Sequence, residues 1–278
     1  MKKILLFFLL FFSLGLFLNA QTVIHYESFE TDGDGSRYTV TGGFTDGIGD
    51  YFIRTNGVDV NNPSSLPSYT LSDGDFFFAG EDTECSDNPN ADVSFVTISG
   101  INITGATNIT IAGLFASGAK EKFDPEDYLH IYANVDAAGE VLIGAFEADI
   151  SSGYNTTFFG VDNDFDGIAD GPDSLNTVFT EYSFTLGNTG NSLDLRIEAY
   201  LTAGDEEIAF DSITVSGTVT ADTDPPVWTT DYPYMYSMLD TKGQIAVSMD
   251  EPGKVYYILV NDGVTAPDAG QVIAGNDY

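Results

Sequence analysis

The clearest periodicity in this chain has a repeat of two. In SLDLRIEAYL, residues 192–201, Leu193, Leu195, Ile197, Ala199 and Leu201 alternate with Asp194, Arg196, Glu198 and Tyr200. In DYLHIYANVD, residues 127–136, Leu129, Ile131, Ala133 and Val135 share one parity, while Tyr128, His130 and Tyr132 share the other. Successive strand side chains point to opposite faces, so both stretches predict strands with an apolar inner face and a polar or aromatic outer one. NITIAGLFA, residues 108–116, is apolar on both parities and predicts a strand covered on both sides. Near the end of this pattern the parity breaks: Ile208 and Phe210 share one face, Ile213 and Val215 the other. Asp211 therefore sits either at a bulge or as a carboxylate pointing inward, and a buried carboxylate requires a partner.

Turn residues recur roughly every ten positions, which suits a β-sandwich better than alternating strands and helices. The composition agrees, with 21 Phe, 15 Tyr and 29 Gly. The strand pattern stops at GTVTADTDPPVW, residues 217–228, where Pro225-Pro226 forbids regular ladder pairing. Beyond it, GQIAVSMDEPGKVYYILVNDG predicts two strands joined at Glu251-Pro252-Gly253. The 57 residues from Asp222 to Tyr278 fall short of the ~100 residues and about seven strands of an immunoglobulin-like sandwich. The second domain is expected to be incomplete, and the chain to be part of a longer protein.

The first twenty residues stand apart. Two lysines precede an apolar run from Ile4 to Phe12, and Leu18-Asn19-Ala20 leads into Gln21, the pattern of a secretory leader cleaved after Ala20. Ser13 and Gly15 interrupt the run, which is shorter than the ~20 residues of a membrane span. No later segment is long and apolar enough to span, so the mature chain is expected to be secreted or held at the cell surface. The whole chain's 43 acidic and 9 basic residues give a net charge of −34, and loss of the two leader lysines makes it −36. A field of that sign repels phosphate backbones and anionic lipid surfaces, arguing against direct binding to nucleic acid. Cys85 is the single cysteine and cannot form an internal disulfide. No H-E-x-x-H, G-x-S-x-G or P-loop motif occurs, and carboxylate pairs that could serve glycoside hydrolysis arise by chance among so many acids. No catalytic constellation is read.

One stretch carries metal chemistry. In VDNDFDGIADGPD, residues 161–173, Asp162, Asp164, Asp166, Asp170 and Asp173 occupy positions one, three, five, nine and twelve of a calcium loop, with Gly167 at position six. Ca²⁺ takes six to eight hard oxygens, and Ile168 is placed to add its backbone carbonyl. The flanks are not those of an EF-hand, because TTFFG before the loop is β-like and Gly171-Pro172 stops any helix after it. The expectation is a single structural Ca²⁺, a staple rather than a sensor. Tyr128, His130 and Tyr132 stand side by side on the outer face of one strand, a row able to stack on sugar rings; packing under a loop or another sheet is the competing reading. Tyr232, Tyr234 and Tyr236 form a second such row.

The stretches ESFETDGDGSRYTVTG, GDYFIRTNG, DFFFAGEDTE, DNDFDGIADG and LDLRIEAYLTAGDEEIAFDSITVSG follow one another from residue 27 to 217. In that order they resemble the jelly-roll module, of carbohydrate-binding or laminin-G-like architecture, at the start of secreted multidomain proteins of Bacteroidota. TDPPVWTTDYPYMYSM and GKVYYILVNDGVTAP look like the immunoglobulin-like or fibronectin-III-like repeats of such proteins. The resemblance implies an all-β organisation: leader 1–20, calcium-binding jelly-roll sandwich 21–217, linker 218–226 and an incomplete Ig-like domain 227–278. It also implies a second, weaker Ca²⁺ site tying the first strand to the last, for which Glu30, Asp32 and Asp34 lie near the start and Asp205, Glu206 and Asp211 near the end. The expected role is a non-catalytic extracellular accessory module stabilised by calcium, with recognition of a polysaccharide, cell-surface glycan or matrix component left open. The alternative is the N-terminal region of a secreted hydrolase or nuclease whose catalytic domain lies beyond Tyr278.

Overall fold

The alternation becomes two stacked antiparallel sheets in the computed structural model, which describes residues 21–47, 49–58, 68–90, 93–118, 123–149, 159–170, 174–219, 227–239, 242–250, 255–257 and 272. The chain divides into two compact units, Met1–Thr220 and Ala221–Tyr278. In the first unit one sheet runs β11 (Thr180–Thr185), β7 (Ala106–Ser117), β13 (Glu207–Val219), β5 (Phe77–Glu81), β4 (Tyr51–Thr55), β3 (Phe44–Thr45), with β1 (Thr22–Glu27) also paired to β13. The other runs β10 (Phe159–Asp162), β9 (Glu140–Ala148), β8 (Tyr128–Val135), β12 (Ser192–Tyr200), β6 (Ser94–Asn102), β2 (Thr39–Thr41). The fold is an all-β sandwich of the jelly-roll type.

The inner faces meet in one apolar layer, and the residues predicted to point inward are there. Leu193, Leu195, Ile197, Ala199 and Leu201 join Leu129, Ile131, Ala133 and Val135 in it. Phe29, Phe52, Phe78 and Phe210 interlock at its centre, with Phe78 and Phe210 stacked at 5.5 Å. Each fully buried Phe contributes roughly 1.5–3 kcal/mol by leaving water. Close approach of the sheets depends on Gly144, because a Cβ there would stand 2.7 Å from the ring of Phe184.

The bulge reading of Asp211 holds: its carboxylate is buried on the outer-face parity it shares with Ala209, not turned into the core of Ile208 and Phe210. The register of β13 against β7 shifts between Asp211 and Thr214, Ser212 has a φ of 55°, and Asp211 is fully buried. The extra residue re-phases the strand, so Ile208, Phe210, Ile213 and Val215 all enter the same core. The first sheet also carries a smaller apolar cluster of opposite parity on its outer face: Tyr51, Phe77, Ala79, Ala116, Phe179 and Ala209, with Tyr69 and Leu114 packed against it. That cluster accounts for β7 being apolar on both sides.

In the second unit β14 (Tyr234–Leu239) pairs antiparallel with β15 (Lys242–Ala246), and an isolated bridge links Trp228 to Met249. The turn expected at Glu251-Pro252-Gly253 lies outside the described residues. Val255–Tyr257, expected to begin a strand, carry no strand pairing. Among the described residues a hairpin forms one segment earlier, with Tyr234, Met235 and Tyr236 opposite Ala246, Ile245 and Gln244.

Candidate functional site

The outer face of the second sheet gathers the aromatic row and its neighbours. Antiparallel register sets Tyr128 opposite Tyr200 on one side and Glu147 on the other. His130 faces Glu198, and Tyr132 faces Arg196. The Tyr128 and His130 rings stack at 4.0 Å, Tyr128 and Tyr200 at 5.7 Å, and Tyr132 meets His130 edge-on at 5.8 Å. Four rings thus form one continuous, half-buried ladder across β12 and β8.

Polar side chains fix this ladder. The Tyr128 hydroxyl donates to Glu198 Oε1 at 3.1 Å, and that of Tyr200 to Glu84 Oε2 at 3.2 Å. His130 Nδ1 lies 3.1 Å from the Tyr132 hydroxyl, and its Nε2 bonds Glu147. Arg196 forks onto Glu140 with bonds of 2.9 and 2.7 Å, pairs with Glu198, and lays its guanidinium over Tyr132 at 4.2 Å and Phe95 at 5.2 Å. Burial pushes the Tyr128 phenol up to about 12 and raises that of Tyr132, so both remain hydrogen-bond donors at any physiological pH. The sequence placed Tyr128, His130 and Tyr132 outward. Tyr200, Arg196 and Glu198 were legible from the parity of β12, but their alignment with β8 needed the register. Glu147, Glu140, Glu84 and Phe95 carried no local pattern that would find them. Tyr232, Tyr234 and Tyr236 form a tilted row in the second unit, with centroids 5.3 and 5.8 Å apart.

The 162–170 loop follows β10 directly. Asp162 is buried and its carboxylate accepts the N–H of Phe165 at 2.7 Å and of Gly167 at 2.9 Å, which curls the chain. Asp164 accepts from Asp166 and Asp166 from Ile168, while Asp170 Oδ2 accepts from Asn163 at 2.8 Å. Phe165 has a φ of 59° and Gly167 one of 85°, the left-handed conformation the sharp turn needs. One oxygen from each of Asp162, Asp164 and Asp166 lies within 4.8 Å of the others. Repulsion from Asp166 raises the carboxyl of Asp164 above its usual range. A cation relieves that repulsion, so the donor set fits a hard divalent ion. Asp173 lies outside the described residues.

Of the second proposed site, the fold brings Glu30 and Asp211 together. The strands β1 and β5 share one edge of β13, β1 against Ile213–Gly217 and β5 against Glu207–Phe210, and Asp211 lies at their junction. Asp211 Oδ2 accepts the N–H of Asp73 at 2.8 Å and Oδ1 that of Ser212 at 2.7 Å. Tyr26 and Ser212 both donate their hydroxyls to Asp73, and Glu30 Oε1 accepts the N–H groups of Asp75 and Phe76. A Cβ at Gly74 (φ 91°) would stand 2.4 Å from the Glu30 carboxyl carbon, so the segment needs glycine to wrap this closely. Burial pushes Asp211 up to about 7, with the charges of Asp73 and Glu30 adding to it. Asp73, which sequence reasoning missed, is the third acid of this group. Asp32 and Asp34 are engaged elsewhere: Asp34 accepts from Val40, and Asp32 accepts from Asp34 and the Tyr38 hydroxyl. Glu206 pairs with buried Asp127, both accepting from Thr202, and burial raises both carboxyls.

No protein-family model matches the chain, and no curated protein matches it. Solved structures do resemble it. The CBM22-1–GH10 modules of the Clostridium thermocellum endo-1,4-β-D-xylanase 10B, complexed with xylohexaose, are 10% identical with a TM-score of 0.38, over 70% of this chain and 28% of that one. The chain therefore spans little more than a quarter of that protein. The K3 cleaved adhesin domain of Lys-gingipain from Porphyromonas gingivalis W83 is 11% identical with a TM-score of 0.38, over 70% of this chain and all of that one. The CBM22-1 xylan-binding domain of Paenibacillus barcinonensis Xyn10C is 12% identical with a TM-score of 0.36, over 73% of this chain and 98% of that one.

Proposed function

We propose that this chain is a non-catalytic extracellular binding module that recognises a polysaccharide on the outer face of its second sheet. The observation that supports this best is the ring ladder Tyr200–Tyr128–His130–Tyr132, held by a closed set of ion pairs and hydrogen bonds. Sugar rings offer C–H faces that stack on aromatic planes and hydroxyls that bond to carboxylates and phenols. The platform offers both, and its rotamers are fixed before any ligand arrives, so little side-chain entropy is lost on binding. Residues 1–20 supply the export leader. A Ca²⁺ in the 162–173 loop, held by Asp162, Asp164, Asp166, Asp170, Asp173 and the Ile168 carbonyl, would neutralise the loop's carboxylates and fix its path beside β9 and β10. A second Ca²⁺ would sit between Glu30, Asp73 and Asp211.

The test is a glycan array with affinity electrophoresis on soluble plant, algal and bacterial polysaccharides, using residues 21–278. Binding is expected for at least one class. Tyr128→Ala and Tyr200→Ala should each weaken it by about tenfold or more, equivalent to ~1.4 kcal/mol. Failure to retain any polysaccharide, or retention that survives both substitutions, would refute the assignment.

A further inference from the structure

The outer face of the first sheet carries a buried carboxylate cluster that neither the platform nor the loop uses. Tyr51, Glu81 and Glu207 form one row across β4, β5 and β13: Tyr51 is paired with Glu81, and Glu81 with Glu207. Two like charges directly opposite on one sheet face repel each other. These two are 1% and 0% exposed, so water does not screen them. Both oxygens of Glu81 are enclosed and accept no hydrogen bond among the described residues. Asp50, Asp82 and Asp205 add their charges to the same point. Glu81 Oε1 is 3.9 Å from where a Cβ would stand on either Gly49 or Gly204, so it points between the turn before β4 and the turn before β13. The described arginines are spent elsewhere: Arg37 on Glu27, Arg54 on the carbonyls of Phe29 and Glu30, Arg196 on Glu140 and Glu198. Among the described residues Glu81 has neither a hydrogen bond nor a counter-charge, one of the costliest arrangements for a buried carboxylate.

We propose that Glu81 and Glu207, with Asp50 and Asp205 around them, form a divalent-cation site of Ca²⁺ type, separate from the 162–173 loop and from the Asp211 group. Ca²⁺ accepts carboxylate oxygens at irregular geometry and takes six to eight of them, so a pair of glutamates backed by flanking aspartates suits it better than the strict octahedron of Mg²⁺. The ion ties three separate segments: the start of β4, the end of β5 and the Thr202–Glu206 turn. Without it, the cluster relieves its repulsion by taking up a proton, and burial with the neighbouring charges pushes Glu81 up to about 9.

The experiment uses the mature chain carrying Asp164→Ala and Asp166→Ala, so that the loop contributes nothing. Bound Ca²⁺ is counted by native mass spectrometry at pH 8, with and without Glu81→Gln, and a second series uses Glu207→Gln. Each glutamine variant keeps the side chain's shape, should hold one ion fewer per chain, and should lose the terbium emission that the nearby Tyr51 and Tyr69 sensitise. An unchanged ion count with unchanged terbium emission overturns the site. Should neither glutamine variant fold, the parent carrying Asp211→Asn decides: a Ca²⁺ retained with tyrosine-sensitised terbium emission supports the site, and loss of every ion overturns it.

Discussion

Replacing Arg196 with glutamine should loosen the platform more than any single aromatic substitution. Arg196 holds Glu140, whose side chain is 44% exposed, and Glu198, whose side chain is 10% exposed. The Glu140 pair, solvent-screened, is worth about 0.5–1 kcal/mol. Stacking over Tyr132 at 4.2 Å adds about 1 kcal/mol. The largest part comes from Glu198: removing one partner of a buried pair costs roughly 3–5 kcal/mol, reduced here because the Tyr128 hydroxyl still donates to it. A total near 4 kcal/mol lowers the melting temperature of a unit this size by roughly 10 °C. The measurement is thermal unfolding by circular dichroism at pH 7 in calcium. Adding Glu198→Gln to Arg196→Gln should recover about half the loss, since it removes the stranded charge. A loss below about 1 kcal/mol, or no recovery in the double variant, would show that the platform is not held together by this ion-pair network.

Three further outcomes are expected. In the full chain with chelator, stability should be highest near pH 5 and fall as pH rises from 6 to 9. Glu81 at about 9, Asp211 at about 7 and Asp82 at about 6 are all raised above their unfolded values, so the folded state binds the extra protons. Urea midpoints across that range test it, and excess calcium should flatten the slope. Asp164→Ala with Asp166→Ala should shrink the calcium-induced rise in melting temperature while leaving the chelated protein's unchanged or slightly higher; an undiminished rise rules out the loop. Phe210→Ala should cost about 3–5 kcal/mol by emptying the centre of the Phe29–Phe52–Phe78 cluster, read as a drop in urea midpoint at constant slope.

Period-two alternation located β8 and β12 with their facings because those strands are half-exposed, and only such strands display both faces as pattern. Short strands such as β3 and β2, with two and three residues, are too brief to show a period. Asp211 was legible as a conflict, since a bulge is visible only as a break in parity. The platform was half legible: one strand's row appears in sequence, but the pairing of Tyr128 with Tyr200, 72 positions apart, is a fact of register. Glu81 could not be found at all. Its significance lies in the opposing Glu207, 126 positions away, and among 43 acids neither residue stands out.

The pairing of Thr22 with Gly217 brings the entry and exit of the sandwich side by side. If neighbouring domains pulled on this unit, tension would enter both partners of one ladder at the same end. Antiparallel strands loaded that way peel, opening one bonded pair at a time, rather than sliding against the resistance of the whole ladder. The β1 strand would lift first, leaving β5 on the other half of the same edge of β13. The peel would run inward until it met the knot of Tyr26, Asp73, Ser212 and Asp211 at the far end of β1. Anything that tightens the knot, including a cation held by Glu30, Asp73 and Asp211, would set how far the module yields before its core is exposed.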